Sequence, residues 1–78
     1  GTGVCGSSWA EARTLIVPDV ETFPGPLARQ SLSRSEIVVP IIRNGEVLGV
    51  LDVDSSELNE YDSIDQQYLE EIVSLIPF

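Results

Sequence analysis

A chain of 78 residues is about half the commonest domain size and buries only about 60% of its unfolded surface, which excludes a large self-contained enzyme. Its 42% hydrophobic and 22% charged residues are those of an ordinary folded domain, outside the disordered and low-complexity ranges. The net charge of −9 repels phosphate, so nucleic acid and anionic membrane are not expected partners, whereas a cationic or zwitterionic ligand suits the field.

The charge is unevenly placed. Residues 1–43 hold Arg13, Arg29, Arg34 and Arg43 against Glu11, Asp19, Glu21 and Glu36, while residues 44–78 hold nine acids and no base. No apolar stretch approaches the roughly 18 residues of a membrane span, and the first residues carry no signal-like core. One cysteine, Cys5, and no histidine exclude an internal disulfide framework and argue against a structural zinc site. They fit a reducing, cytoplasmic compartment. No cofactor is expected. The lack of methionine and the loop-like Gly1-Thr2-Gly3 start read as a fragment or a processed chain.

In chain order, Gly3-Val4-Cys5-Gly6 reads as a glycine-rich turn leading into a short helix, with Ser7 or Ser8 as N-cap and Trp9 in the first turn. Cys5 then reads either as a small buried residue in a tight turn or, just ahead of a helix start, as a thiol whose thiolate backbone amides would stabilise. Trp9 reads as a core or interface aromatic. Residues 14–17 form a short strand. From 17 to 35, Pro18, Pro24, Gly25 and Pro26 break any continuous helix or central strand, leaving a long ordered loop with room for one helical turn over 27–32. Residues 37–42 and 47–53 are rich in β-branched side chains around Asn44-Gly45, the strongest hairpin signal in the chain. Pro40 marks a bulge or an edge. Finally Ile64, Tyr68, Leu69, Ile72, Val73 and Ile76 fall at helical spacing, with Asp62 as N-cap and Asp65 completing an imperfect capping box, over 62–76.

The chemistry gathers on the hairpin. Asp52 and Asp54 stand two apart in a strand and share a face. A two-residue loop at Asn44-Gly45 puts Glu36 opposite Val53, away from both aspartates. A three-residue loop with a bulge at Gly45 puts Glu36 opposite Asp52 with Asp54 diagonal, and this second register is the expected one. Three carboxyls in one place call for a cation, a metal or a shared proton, and sharing raises at least one pKa, leaving a neutral acid able to donate. The plain alternative is strand-end acids fraying into solvent.

Gly3-Val4-Cys5-Gly6, Val17-Pro18-Asp19-Val20, Phe23-Pro24-Gly25, Ser33-Arg34-Ser35-Glu36-Ile37-Val38-Val39-Pro40 and Gly49-Val50-Leu51-Asp52-Val53-Asp54-Ser55 together resemble the free methionine-(R)-sulfoxide reductases, single-domain enzymes of the GAF fold. The resemblance runs in order over nearly the whole chain. It implies a cysteine thiolate that attacks the sulfur of free methionine sulfoxide, releasing methionine and leaving a sulfenic acid. A second cysteine then closes a disulfide that thioredoxin reduces. By position, Glu36, Asp52 and Asp54 match the acids that bind the amino acid and protonate the departing oxygen, and Cys5 matches a redox cysteine.

The departures bear equally on function. Where the family reads Pro-Gly-His-Ile-Ala-Cys-Asp, this chain reads Pro24-Gly25-Pro26-Leu27-Ala28-Arg29-Gln30, so Arg29 stands at the attacking position and no guanidinium is a nucleophile. The family's N-terminal part, with further strands, aromatic residues over the pocket and another cysteine, has no counterpart here. The expectation is an α+β fold, the C-terminal part of a GAF domain across residues 1–78, with an antiparallel sheet and flanking helices. It should self-associate, or associate with an N-terminal segment, to cover its apolar surface. The leading function is an acidic small-molecule pocket without turnover. The rivals are a reductase working through Cys5 with thioredoxin, and a structural or interaction module whose pocket Arg29 closes against the acids.

Overall fold

Asn44 and Gly45 take φ of 54° and 79°, the two positive values that a two-residue type I′ turn requires and that make Asn-Gly its preferred sequence. Around this turn β2 (Ser35–Arg43) and β3 (Glu46–Ser55) pair antiparallel. A third strand, β1 (Leu15–Val17), pairs with Val38, Ile37 and Glu36 on the far side of β2, giving the order β1-β2-β3. The computed structural model describes residues 3–23 and 33–77. The helical turn expected over 27–32 lies outside the described residues, as does Arg29.

One helix covers each face of the sheet, in an α+β arrangement. On one side α1 (Gly3–Glu11) packs Val4 against Val17 and Val38, with Leu15 and Val50 at the rim. On the other, α2 (Ser63–Ser74) sets Val73, Leu69 and the following Ile76 against Ile37, Val39 and Ile41, with Leu51 and Val53 beside them. Central β2 therefore carries apolar residues on both faces and is almost wholly buried over Ile37, Val38 and Val39. Pro40 lies beyond the last β1 pairing, where a missing N–H costs β1 no partner.

The helix ends explain themselves chemically. The Asp62 carboxylate accepts from the amides of Ile64 and Asp65, and Asp65 returns a bond to the Asp62 amide, completing the expected capping box. At the other end no base lies in the last turn of α2, and Arg43 reaches across from β2 to donate to the carbonyls of Val73 and Ile76 at 2.8 and 2.7 Å.

One expectation needs correction here. The first helix begins at Gly3 rather than after Ser7 or Ser8. Ser8 is buried inside it and donates to the Arg13 carbonyl, while Ala12 takes φ of 54° to end the helix. The six apolar positions of the last segment divide. Leu69, Val73 and Ile76 meet the core, while Ile64, Tyr68 and Ile72 stand more than half exposed, because a helix lying on a sheet buries only one stripe of its surface.

Candidate functional site

The register of the hairpin decides whether the acids meet. Arg43 pairs with Glu46, the two-residue loop, and not Ile42 with Glu46 as expected. Continued without interruption, that pairing would send Glu36 to the face opposite Asp52 and Asp54. A bulge intervenes: Ile42 pairs with Val47 and Ile41 with Gly49, leaving Leu48 as the extra residue. Beyond it Glu36 opposes Asp54 and Val38 opposes Asp52. Asp54, not Asp52, is thus the direct cross-strand partner of Glu36, and Asp52 is the diagonal one. The three carboxylates nevertheless share one face, because turn and bulge together shift the strands by an amount of the same parity as the expected loop. Gly49 inside a strand was the sequence signal for the bulge.

That face is the one under α1, and the first turn of α1 brings Cys5 to it. The Cys5 thiol donates to Asp52 Oδ2 at 3.2 Å. Glu36 also shares a hydrogen bond with Asp52, and one donor atom from each of Cys5, Glu36 and Asp52 lies within 4.8 Å of the others. The ends of the strands are fixed by Ser35, whose buried hydroxyl donates to the Glu57 carbonyl and accepts from the Glu60 amide.

Electrostatics follow from this crowding. Partial burial, the bond with Asp52 and the charges of Asp52 and Asp54 push the Glu36 carboxyl from its ordinary 4.5 up to about 8. Burial and the charge of Asp52 raise Asp54 as well, against a bond from Ser33 that lowers it. The Cys5 thiol is pushed up to about 12, first by burial and then by its bond to Asp52 and the charges of Asp52, Glu36 and Asp54. Of the two readings of Cys5, the stabilised thiolate is the one not met: Cys5 does lie near a helix start, but burial and the acids facing it outweigh the amides. At neutral pH it is a thiol.

The site therefore offers a neutral carboxylic acid and a thiol as proton donors, beside exposed carboxylates. Cys5, Glu36 and Asp52 have the spacing of a metal-binding set.

The chain matches the GAF domain family over residues 1–77. It is 57% identical over 76 residues to GAF domain-containing protein A of Dictyostelium discoideum, covering 97% of this chain and 48% of that protein. It is 46% identical over 77 residues to the free methionine-R-sulfoxide reductase of Saccharomyces cerevisiae, covering 97% of this chain and 43% of the enzyme. Among solved structures it superposes with a TM-score of 0.89 and 49% identity on the free methionine-R-sulfoxide reductase of Neisseria meningitidis in complex with its substrate, over 95% of this chain and 44% of that one. The chain spans about half the length of the relatives it matches. With the sheet, its two helices and a match along nearly every residue in agreement, the chain belongs to the GAF domain family.

Proposed function

We propose that the chain binds free methionine sulfoxide, or a zwitterion built like it, on the acidic face under α1, and that with Arg29 at the attacking position it does not turn the sulfoxide over. The observation that carries this reading is the cluster itself: Glu36, Asp52 and Asp54 on one face, with Glu36 held protonated up to about pH 8. Asp52 and Asp54 meet the ligand's ammonium group. Protonated Glu36 donates to the sulfoxide oxygen, the work a neutral carboxylic acid performs near pH 7. The likeness to reductases of free methionine-R-sulfoxide supports the choice of ligand.

Turnover needs more. Attack on the sulfoxide sulfur needs a thiolate in near-attack geometry, within about 3.5 Å. Cys5 holds its proton up to about 12, and the chain has no second cysteine to close a disulfide on a sulfenic acid. The presence of Cys5 beside the acids favours one second reading, a reductase working through Cys5 with thioredoxin. Calorimetry with each sulfoxide epimer, and thioredoxin-coupled NADPH oxidation, test both. The first reading expects heat that Asp52→Asn abolishes and no turnover without Arg29→Cys. R-selective turnover by the unmodified chain, lost in Cys5→Ser, establishes the second.

A further inference from the structure

Glu36 on β2 and Asp54 on β3 oppose each other directly, a placement of like charges that a sheet does not favour. Their other partners differ. Glu36 shares a hydrogen bond with Asp52, itself an acid, whereas Asp54 accepts from the Ser33 hydroxyl, a neutral donor outside the cluster. A bond between two carboxyl groups needs a proton on one of them. A hydroxyl donating to a carboxylate needs none and stabilises its charge.

Strand alternation alone does not bring Ser33 there. Ser35 opposes Ser55 and Glu36 opposes Asp54, so in a strand continued backward Ser33 would share the face of Ser35 and point away from the acids. The regular strand begins only at Ser35. Just before it the Arg34 amide donates to the Ser55 carbonyl at 2.7 Å, and the Arg34 carbonyl accepts from the Val20 amide at 2.9 Å. The chain enters the sheet through this clamp, and Ser33, outside it, reaches Asp54 instead.

We propose that Ser33 is a positioning residue of the acid face: by donating to Asp54 it makes that carboxyl the acceptor of the facing pair and leaves Glu36 as the donor. This inference rests on the acid-face reading above and deepens it by giving the two facing acids different work. Asp54 meets the ligand's ammonium group as a carboxylate, and Glu36 keeps the proton it offers to the sulfoxide oxygen. The other groups facing Asp54 are Asp52 on its own strand, Glu36 on β2, Cys5 on α1 and Tyr61 ahead of α2. None of them carries a positive charge, so among the described residues it is the Ser33 hydroxyl that favours the ionised form of Asp54.

Two measurements across the pH range test this on the unmodified chain, Ser33→Ala and Ser33→Thr: carboxyl ¹³C titration of Glu36 and Asp54 without ligand, and calorimetry with methionine-(R)-sulfoxide. Loss of the hydroxyl should raise the Asp54 midpoint by about half a pH unit, the share of a charged hydrogen bond left at an exposed position. The acid limb of the binding profile should move up with it, weakening binding on that limb about threefold. The alkaline limb, set by Glu36 at about 8, should stay in place. Ser33→Thr keeps the hydroxyl and should restore both readings, whereas a merely structural role would weaken binding equally at every pH. An Asp54 midpoint unmoved in Ser33→Ala, with the binding heat intact, overturns the role of Ser33 and leaves the acid-face reading standing. An Asp54 midpoint that moves in a chain giving no heat with the sulfoxide at any pH supports the hold of Ser33 on Asp54 and overturns the acid-face reading.

Discussion

Glu36 makes the protein less stable as pH rises toward 8, and Glu36→Gln is expected to remove most of that dependence. In the unfolded chain the carboxyl ionises around its ordinary 4.5, and in the fold it holds its proton up to about 8. Below pH 4.5 it is protonated in both states and its folded-state proton gives full benefit. Between the two values only the unfolded chain ionises, so stability falls with rising pH, and above pH 8 the loss is complete. The whole interval corresponds to about 5 kcal/mol at about 1.4 kcal/mol per pH unit. Glu36 is only partly buried, and water screens most of that figure, leaving a loss of about 1–2 kcal/mol. Asp54, also raised, adds in the same direction from 3.8 upward. Asp62 is lowered from 3.8 by the amides it caps, and its contribution is lost below that value. Cys5 acts between 9.0 and about 12, so neither intrudes on this window. Urea unfolding followed by circular dichroism at about pH 5, 6, 7 and 8 reads the effect as a falling midpoint at constant slope. Glu36→Gln should leave a nearly flat profile that lies above the unmodified chain at pH 8. A midpoint that is constant or rising over this range, parallel in both proteins, refutes the reasoning.

Three further outcomes follow from the packing. Arg43→Ala, which strips the C-terminal carbonyls of α2 of two bonds, should cost about 1.5 kcal/mol in the same unfolding experiment. Ala12→Gly should stabilise by about 0.5–1 kcal/mol, since Ala12 ends α1 at φ of 54°, where a Cβ is unfavourable and glycine is not. Sedimentation should show mass rising with concentration, because among the described residues the outer edge of β3 is unpaired and Ile64, Tyr68, Ile72 and Leu75 are exposed along α2. Ile72→Lys should reduce that association.

Much of the fold could be read from local rules. Asn44-Gly45 between two β-branched runs placed the hairpin, and Asp62 with Asp65 placed the start of α2, since both signals act through neighbouring backbone groups. The register was harder, because it depends on a turn and a bulge acting together. The turn was misread, and the bulge at Leu48, flagged only by Gly49, restored the shared face for Glu36, Asp52 and Asp54. The state of Cys5 is hard to read for a related reason. Its helix context is local and favours a thiolate, whereas the burial and the carboxylates that keep it protonated depend on residues far along the chain. The bond from Arg43 to α2 also joins distant segments, and no sequence spacing announces it.

The most direct test of the acid-face account is the map of amide chemical-shift changes in the ¹⁵N-labelled chain on adding free methionine-(R)-sulfoxide. The account predicts saturable shifts concentrated at Cys5, Glu36, Asp52 and Asp54 and absent from the α2 face of the sheet. Shifts confined to α2, or none at concentrations that saturate a reductase of this family, would contradict it.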